Sequence, residues 1–265
     1  MRYLKTGAGR PLILVHGLLG YSFSWRFTMP ALAPHATVYA IDNLGAGLSH
    51  AVEGMDCTVR GTAERVLEFA DALGLAEFDL LGTSHGGAVS MIAAAIAADR
   101  GRPQIGRLIL VASVNPWSPH GKRLAPFLVT PLGALVFRNT IERWRALDYL
   151  WLRRLFSSGD KIPPDSLAGY RIPVRYNHGF RHASNILKSW TSDLVDLEST
   201  LPKIRDYPTL LMWGTKDRAV HLASADRLRQ NFRDARLVAF EGVGHLPYEE
   251  SATQFNHVLI DYLAG

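Results

Sequence analysis

One cysteine, Cys57, stands among 265 residues, so no disulfide can form within the chain. A chain of this length can bury a sufficient core without staples or metals. No histidine neighbours Cys57 in sequence, and it reads as an inert, partly buried thiol. Long apolar runs are also missing. The greasiest stretch, residues 88–98, is too short to cross a bilayer, and residues 124–137 are interrupted by Pro126 and Pro131. The first 17 residues carry neither the apolar length nor the small-residue cleavage site of a secretory signal. These absences together predict a soluble, cytoplasmic protein. Repeats and low-complexity tracts are absent too, which excludes solenoids and disordered linkers.

What is present is ordinary in bulk and uneven in distribution. Apolar residues make up 48% and charged residues 20%, with a net charge of +5. Residues 116–205 carry 14 Lys+Arg against 7 Asp+Glu, while the remainder is slightly acidic. A basic region can attract anionic substrates or lipid, but a solvated helical surface explains it more simply. No nucleic-acid motif accompanies the charge, so no nucleic-acid partner is expected.

Short apolar runs ending in glycine-bearing turns alternate with helical patterns. The runs are residues 12–16 (LILVH), 37–42 (TVYAID), 78–82 (FDLLG), 108–112 (LILVA), 209–213 (TLLMW) and 236–240 (RLVAF). Helical spacing marks residues 59–73, 86–99, 223–232 and 252–263. This alternation predicts an α/β fold with a mostly parallel sheet covered by helices on both faces. Residues 1–6 would add an edge strand. Residues 115–201 break the alternation with aromatics and prolines and with helical pieces near 140–156 and 177–195. They read as a helical cap inserted into a core formed by residues 1–114 and 202–265.

The chemistry is concentrated in Gly82-Thr83-Ser84-His85-Gly86-Gly87, a G-x-S-x-G sequence between a strand and a small-residue helix. That context holds a serine on a sharp turn, where only glycines fit two residues to either side. A serine hydroxyl needs a base, and the base needs a carboxylate to set its tautomer. Asp217 follows the fifth run and His245 follows the sixth, both in strand-end loops where open parallel sheets place their sites.

Four stations occur in order: His16-Gly17, residues 42–49 (DNLGAGLS), the Ser84 turn, and the Asp217/His245 pair. With these the chain resembles the α/β-hydrolase superfamily over nearly its whole length. The resemblance implies Ser84 as nucleophile, His245 as base and Asp217 as its acid. It also implies the backbone N–H groups of Leu18 and His85 as donors to an oxyanion. It implies no cofactor, and serine chemistry needs no metal. Similar haloalkane dehalogenases and epoxide hydrolases carry Asp where Ser84 stands, which disfavours both reactions. The loop at residues 16–20 (HGLLG) lacks the Gly-Pro-Gly of many carbon–carbon bond hydrolases.

Lesser signals have plainer readings. Gly45-Ala46-Gly47 lacks the third glycine of a dinucleotide fingerprint, since His50 stands there. Asp42 precedes the serine in the chain and is expected to organise its loop. His16 is expected to tie down its own loop. His178 and His182, four apart but with Gly179 between them and no acidic partner, read as a surface pair. Trp25, Trp117, Phe127, Trp144 and Leu246 are the residues expected to line an apolar pocket. The expected partner is a small-molecule ester of moderately hydrophobic character. Carbon–carbon bond hydrolysis, thioester cleavage and acyl transfer remain open on the same residues. A lipase docking to a membrane surface through its basic cap, or a binding or signalling protein with vestigial activity, is also open.

Overall fold

The computed structural model describes residues 1–118, 127–128, 130–133, 135–136, 145–176 and 179–265. Seven strands form one sheet: β1 (Arg2–Thr6), β2 (Pro11–Val15), β3 (Thr37–Asp42), β4 (Glu77–Thr83), β5 (Gln104–Val111), β6 (Thr209–Gly214) and β7 (Ala235–Phe240). Their spatial order is β1-β3-β2-β4-β5-β6-β7. Only β1 runs antiparallel, paired with β3 from Arg2 opposite Asp42 to Thr6 opposite Val38. Its three central residues are exposed, and they include Lys5, a charge that guards a sheet edge against further pairing.

The strand sequences are apolar without alternation because both faces are covered. Successive residues go to opposite sides. Ile13, Val15, Leu80, Leu108, Leu110, Leu211 and Trp213 join one buried cluster. Leu12, Leu14, Leu81, Ile109, Val111, Leu210 and Met212 join the other. The first face is covered by α2 (Val59–Ala72) and α3 (His85–Arg100), the second by α1 (Met29–Leu32) and α9 (Ala252–Ala264). Thr58 caps α2 by accepting the Gly61 amide at 3.0 Å, and Gly101 ends α3 in the left-handed region.

Between β5 and β6 lie α4 (Arg145–Leu155), α5 (Ser166–Tyr176) and α6 (Gly179–Thr200). These helices pack against both faces of the core. Ile186, Leu187, Trp190, Leu194 and Leu197 of α6 belong to the cluster of α2 and α3. Leu152, Phe156 and Tyr170 join Trp25, Met29 and Tyr248 in the other. The remaining helices, α7 (Leu222–Arg229) and α8 (Pro247–Glu250), follow β6 and β7. Among the described residues no helix is long and apolar enough to cross a membrane.

Strand order reverses between β2 and β4, whose following loops diverge to opposite sides. Open α/β sheets place their sites in that crevice, at the carboxyl ends of the strands.

Candidate active site

Ser84 sits in the crevice, between the end of β4 and the first residue of α3. Its backbone has φ 51° and ψ −121°, a conformation that non-glycine residues rarely adopt. Two glycines permit it. A Cβ on Gly82 would lie 2.2 Å from the Gly86 carbonyl oxygen, and one on Gly86 would lie 2.4 Å from those of Val15 and His16. The turn is clamped by Ser84 N donating to Val111 O at 2.9 Å, while Ser84 O accepts from Gly87 N and Val114 N at 3.0 Å each.

The loop after β2 passes against this serine. A Cβ on Gly17 would lie 3.1 Å from Ser84 Cβ and 3.7 Å from its Oγ. Gly20 N donates to Gly17 O at 3.0 Å, and Leu19 is held at φ 60°. Among the described residues the Leu18 amide of this loop donates no hydrogen bond, and neither does the His85 amide at the start of α3. The His85 amide directly follows Ser84, at the positive end of a sixteen-residue helix.

Asp217 follows β6 and His245 follows β7. The Asp217 carboxylate is fully buried and held on one side, where Oδ1 accepts Ala219 N at 2.8 Å and Val220 N at 2.9 Å. Its Oδ2 lies 2.8 Å from His245 Nδ1. An ionised carboxylate accepts only, so Nδ1 carries the proton and Nε2 presents a lone pair. That nitrogen makes no hydrogen bond among the described residues, and none joins it to Ser84 Oγ. Such bonds often tighten only when substrate arrives.

His16 is the opposite case. It is buried, its Nδ1 lies 2.8 Å from Gly17 O, and its Nε2 accepts Asn43 N at 3.1 Å. Both nitrogens are committed to backbone, and burial lowers its pKa. It thus ties the β2 loop to the β3 loop. Asp42 is likewise structural. Its buried carboxylate accepts Ser22 N at 2.7 Å and Leu48 N at 3.0 Å and pairs with Arg2 at 3.1 Å.

Two expectations are corrected here. His182 is not a surface residue. It is buried on the inward face of α6, and burial lowers its pKa to about 4. Cys57 does have a histidine partner, because His182 Nδ1 lies 3.7 Å from its Sγ. A fold brings together groups 125 residues apart that sequence proximity cannot connect. His85 lies nearby, stacked on Trp190 at 6.2 Å between ring centroids, with its pKa lowered by burial to about 3. His178 lies outside the described residues. Among those described, no three His, Cys, Asp or Glu side chains are grouped to hold a metal.

The residues expected to line a pocket divide. Trp25 has no exposed surface and packs on Tyr248 at 4.8 Å between ring centroids. Phe127, between β5 and β6, is 48% exposed. Trp117 is half-buried, with the Arg227 guanidinium 5.2 Å from its ring. Leu246 is buried beside His245, and Trp144 lies outside the described residues.

The sequence reading missed Glu249 and Glu250, both fully buried at the carboxylate and close after His245. Glu249 pairs with Arg26 at 3.0 Å and accepts hydrogen bonds from Ser166 and Tyr170 of α5. Glu250 faces the other way, toward residues 157–161. Two adjacent acids directly after Leu246, Pro247 and Tyr248 were the available signal.

Comparison with known proteins agrees with this fold. A family model described as alpha/beta hydrolase fold matches residues 10–252. The chain is 36% identical to N-formylmaleamate deformylase of Pseudomonas putida KT2440, covering 94% of this chain and 87% of that protein. It is 28% identical to 2-hydroxy-6-oxo-2,4-heptadienoate hydrolase of Pseudomonas putida F1, covering 98% and 91%. Among solved structures, a bacterial membrane phospholipase A superposes with a TM-score of 0.78 at 27% identity, covering 99% of this chain and 82% of that one.

Proposed function

The chain belongs to the α/β-hydrolase family, and on that premise we propose that it is a serine hydrolase acting through an acyl-enzyme on carboxylic esters of moderately hydrophobic character. The observation that carries the reading is the 2.8 Å contact between Asp217 and His245 Nδ1, which leaves Nε2 a free base. It stands at the same sheet edge as a serine in a strained turn.

In this reading Ser84 Oγ attacks the ester carbonyl carbon as His245 Nε2 takes its proton. The oxyanion would accept the N–H groups of Leu18 and His85, which donate to no other group among the described residues. Losing one such donor costs about 3 kcal/mol. Collapse expels the alcohol, which receives the proton from His245. Water then attacks the acyl-serine with His245 again as base, releasing the acid and restoring Ser84. Asp217 stays ionised throughout and stabilises the imidazolium. Residues 115–201 would form a cap over the acyl site, and the chain would act in the cytoplasm without a cofactor.

A p-nitrophenyl ester series of rising acyl length tests the proposal. Wild-type protein should turn these esters over, and Ser84→Ala should lower kcat roughly 10⁴-fold or more while unfolding at the same temperature. Undiminished turnover by Ser84→Ala would remove the serine from the mechanism. Likeness to a 2-hydroxy-6-oxo-2,4-heptadienoate hydrolase favours a second reading, carbon–carbon bond hydrolysis on the same residues. A vinylogous diketone substrate beside the esters separates the two by kcat/KM.

A further inference from the structure

The loop that carries His245 is fastened by the insertion as well as by the sheet. His245 N donates to Leu155 O of α4 at 2.7 Å. A Cβ on the preceding Gly244 would lie 2.6 Å from Leu155 O and 2.7 Å from Ser157 N, so the two backbones lie flat against each other. Glu250 joins them. Its fully buried carboxylate accepts Gly244 N at 2.9 Å and Ser157 N at 2.9 Å, together with the Ser157 hydroxyl. Lys161 Nζ lies 3.1 Å from the same carboxylate and donates to Gly242 O at 2.9 Å.

We propose that Glu250 is a positioning residue for the base: it locks residues 242–245 to residues 155–161, so that His245 is held in place by the docked insertion. This rests on the assignment of Ser84 and His245 above. A buried carboxylate with four donors from two chain segments fixes both segments at once. Removing the charge leaves the Gly244 and Ser157 amides competing for a weaker acceptor. The imidazole is then free to drift by the ångström or so that proton transfer cannot tolerate.

The insertion has a further anchor, one that does not reach the histidine loop. Arg60 of α2 holds Asp196 of α6 in a two-pronged pair at 2.8 and 3.0 Å. Asp196→Asn is therefore a control for loosening the insertion in general.

Glu250→Gln should lower kcat on p-nitrophenyl butyrate by about 10²-fold with KM within about twofold. The rate of labelling by a fluorophosphonate should fall in the same proportion. Asp196→Asn should leave both rates within about twofold, whatever it does to the unfolding temperature. A folded Glu250→Gln protein with wild-type kcat, or an equal loss in Asp196→Asn, would overturn the proposal. If Glu250→Gln does not fold, Ser157→Ala removes one of the four bonds; a severalfold loss of kcat supports the proposal and a wild-type value overturns it. Failure of the underlying assignment looks different: Ser84→Ala would keep its activity and wild-type protein would resist the fluorophosphonate. That result would overturn both.

Discussion

The sheet carries an acid and a histidine at its carboxyl edge twice, once on each side of β4. Asp42 ends β3 and His16 follows β2, while Asp217 and His245 follow β6 and β7. All four side chains are buried, and each acid accepts backbone N–H groups from its own loop. The difference lies in the last lone pair. Asp42 gives it to Arg2, a permanent cation, and His16 spends both ring nitrogens on backbone. Asp217 gives it to an imidazole whose other nitrogen makes no hydrogen bond among the described residues. An acid–histidine neighbourhood becomes chemical machinery only where one ring nitrogen is left able to take a proton.

The sharpest break in the comparison is Asp217→Asn. It keeps the shape but favours the wrong imidazole tautomer, and ester kcat should fall roughly 10⁴-fold with little change in unfolding temperature. Asp42→Asn should do the reverse. It should weaken the fold by about 1–3 kcal/mol in urea unfolding, by leaving Arg2 and two amides poorly served, and keep kcat within about tenfold.

Acid should expose the same division. His16, His85 and His182 are buried with pKa values below the ordinary histidine value, to about 3 for His85 and about 4 for His182. Unfolded, they bind protons that the folded protein refuses. Their stabilising contribution is therefore complete above about pH 6.5 and lost as pH falls below it. Urea midpoints should drop between pH 7 and pH 5, with unfolding taking up as many as about three protons. His182→Gln should flatten that slope by about one proton. The smallest effect belongs to Arg2→Met, about 1 kcal/mol or less, because its side chain is 37% exposed.

Much of this was legible because local chemistry specifies it. The six apolar runs are strands, and residues 1–6 contain the seventh. The Ser84 turn could be read from Gly82 and Gly86, whose missing side chains are a steric necessity. β5 begins at Gln104 rather than near Leu108, since Gly106 and Arg107 broke the apolar pattern. The Arg107 guanidinium is instead held by the carbonyls of Tyr262 and Leu263. Helix α5 went unread because Gly169 and Pro173 weaken its propensity, while its anchors Ser166 and Tyr170 find Glu249 only in the fold. The Cys57–His182 contact and the Glu250 lock are tertiary in the same sense: neither partner announces the other.

The backbone at Ser84 has a consequence of its own. A residue in that region of φ and ψ costs of order 1–3 kcal/mol, which glycine would largely escape. Ser84→Gly should therefore be sturdier than the parent and chemically inert. At this position random change is pulled toward a tougher but idle molecule, and keeping the hydroxyl means holding the chain against that drift.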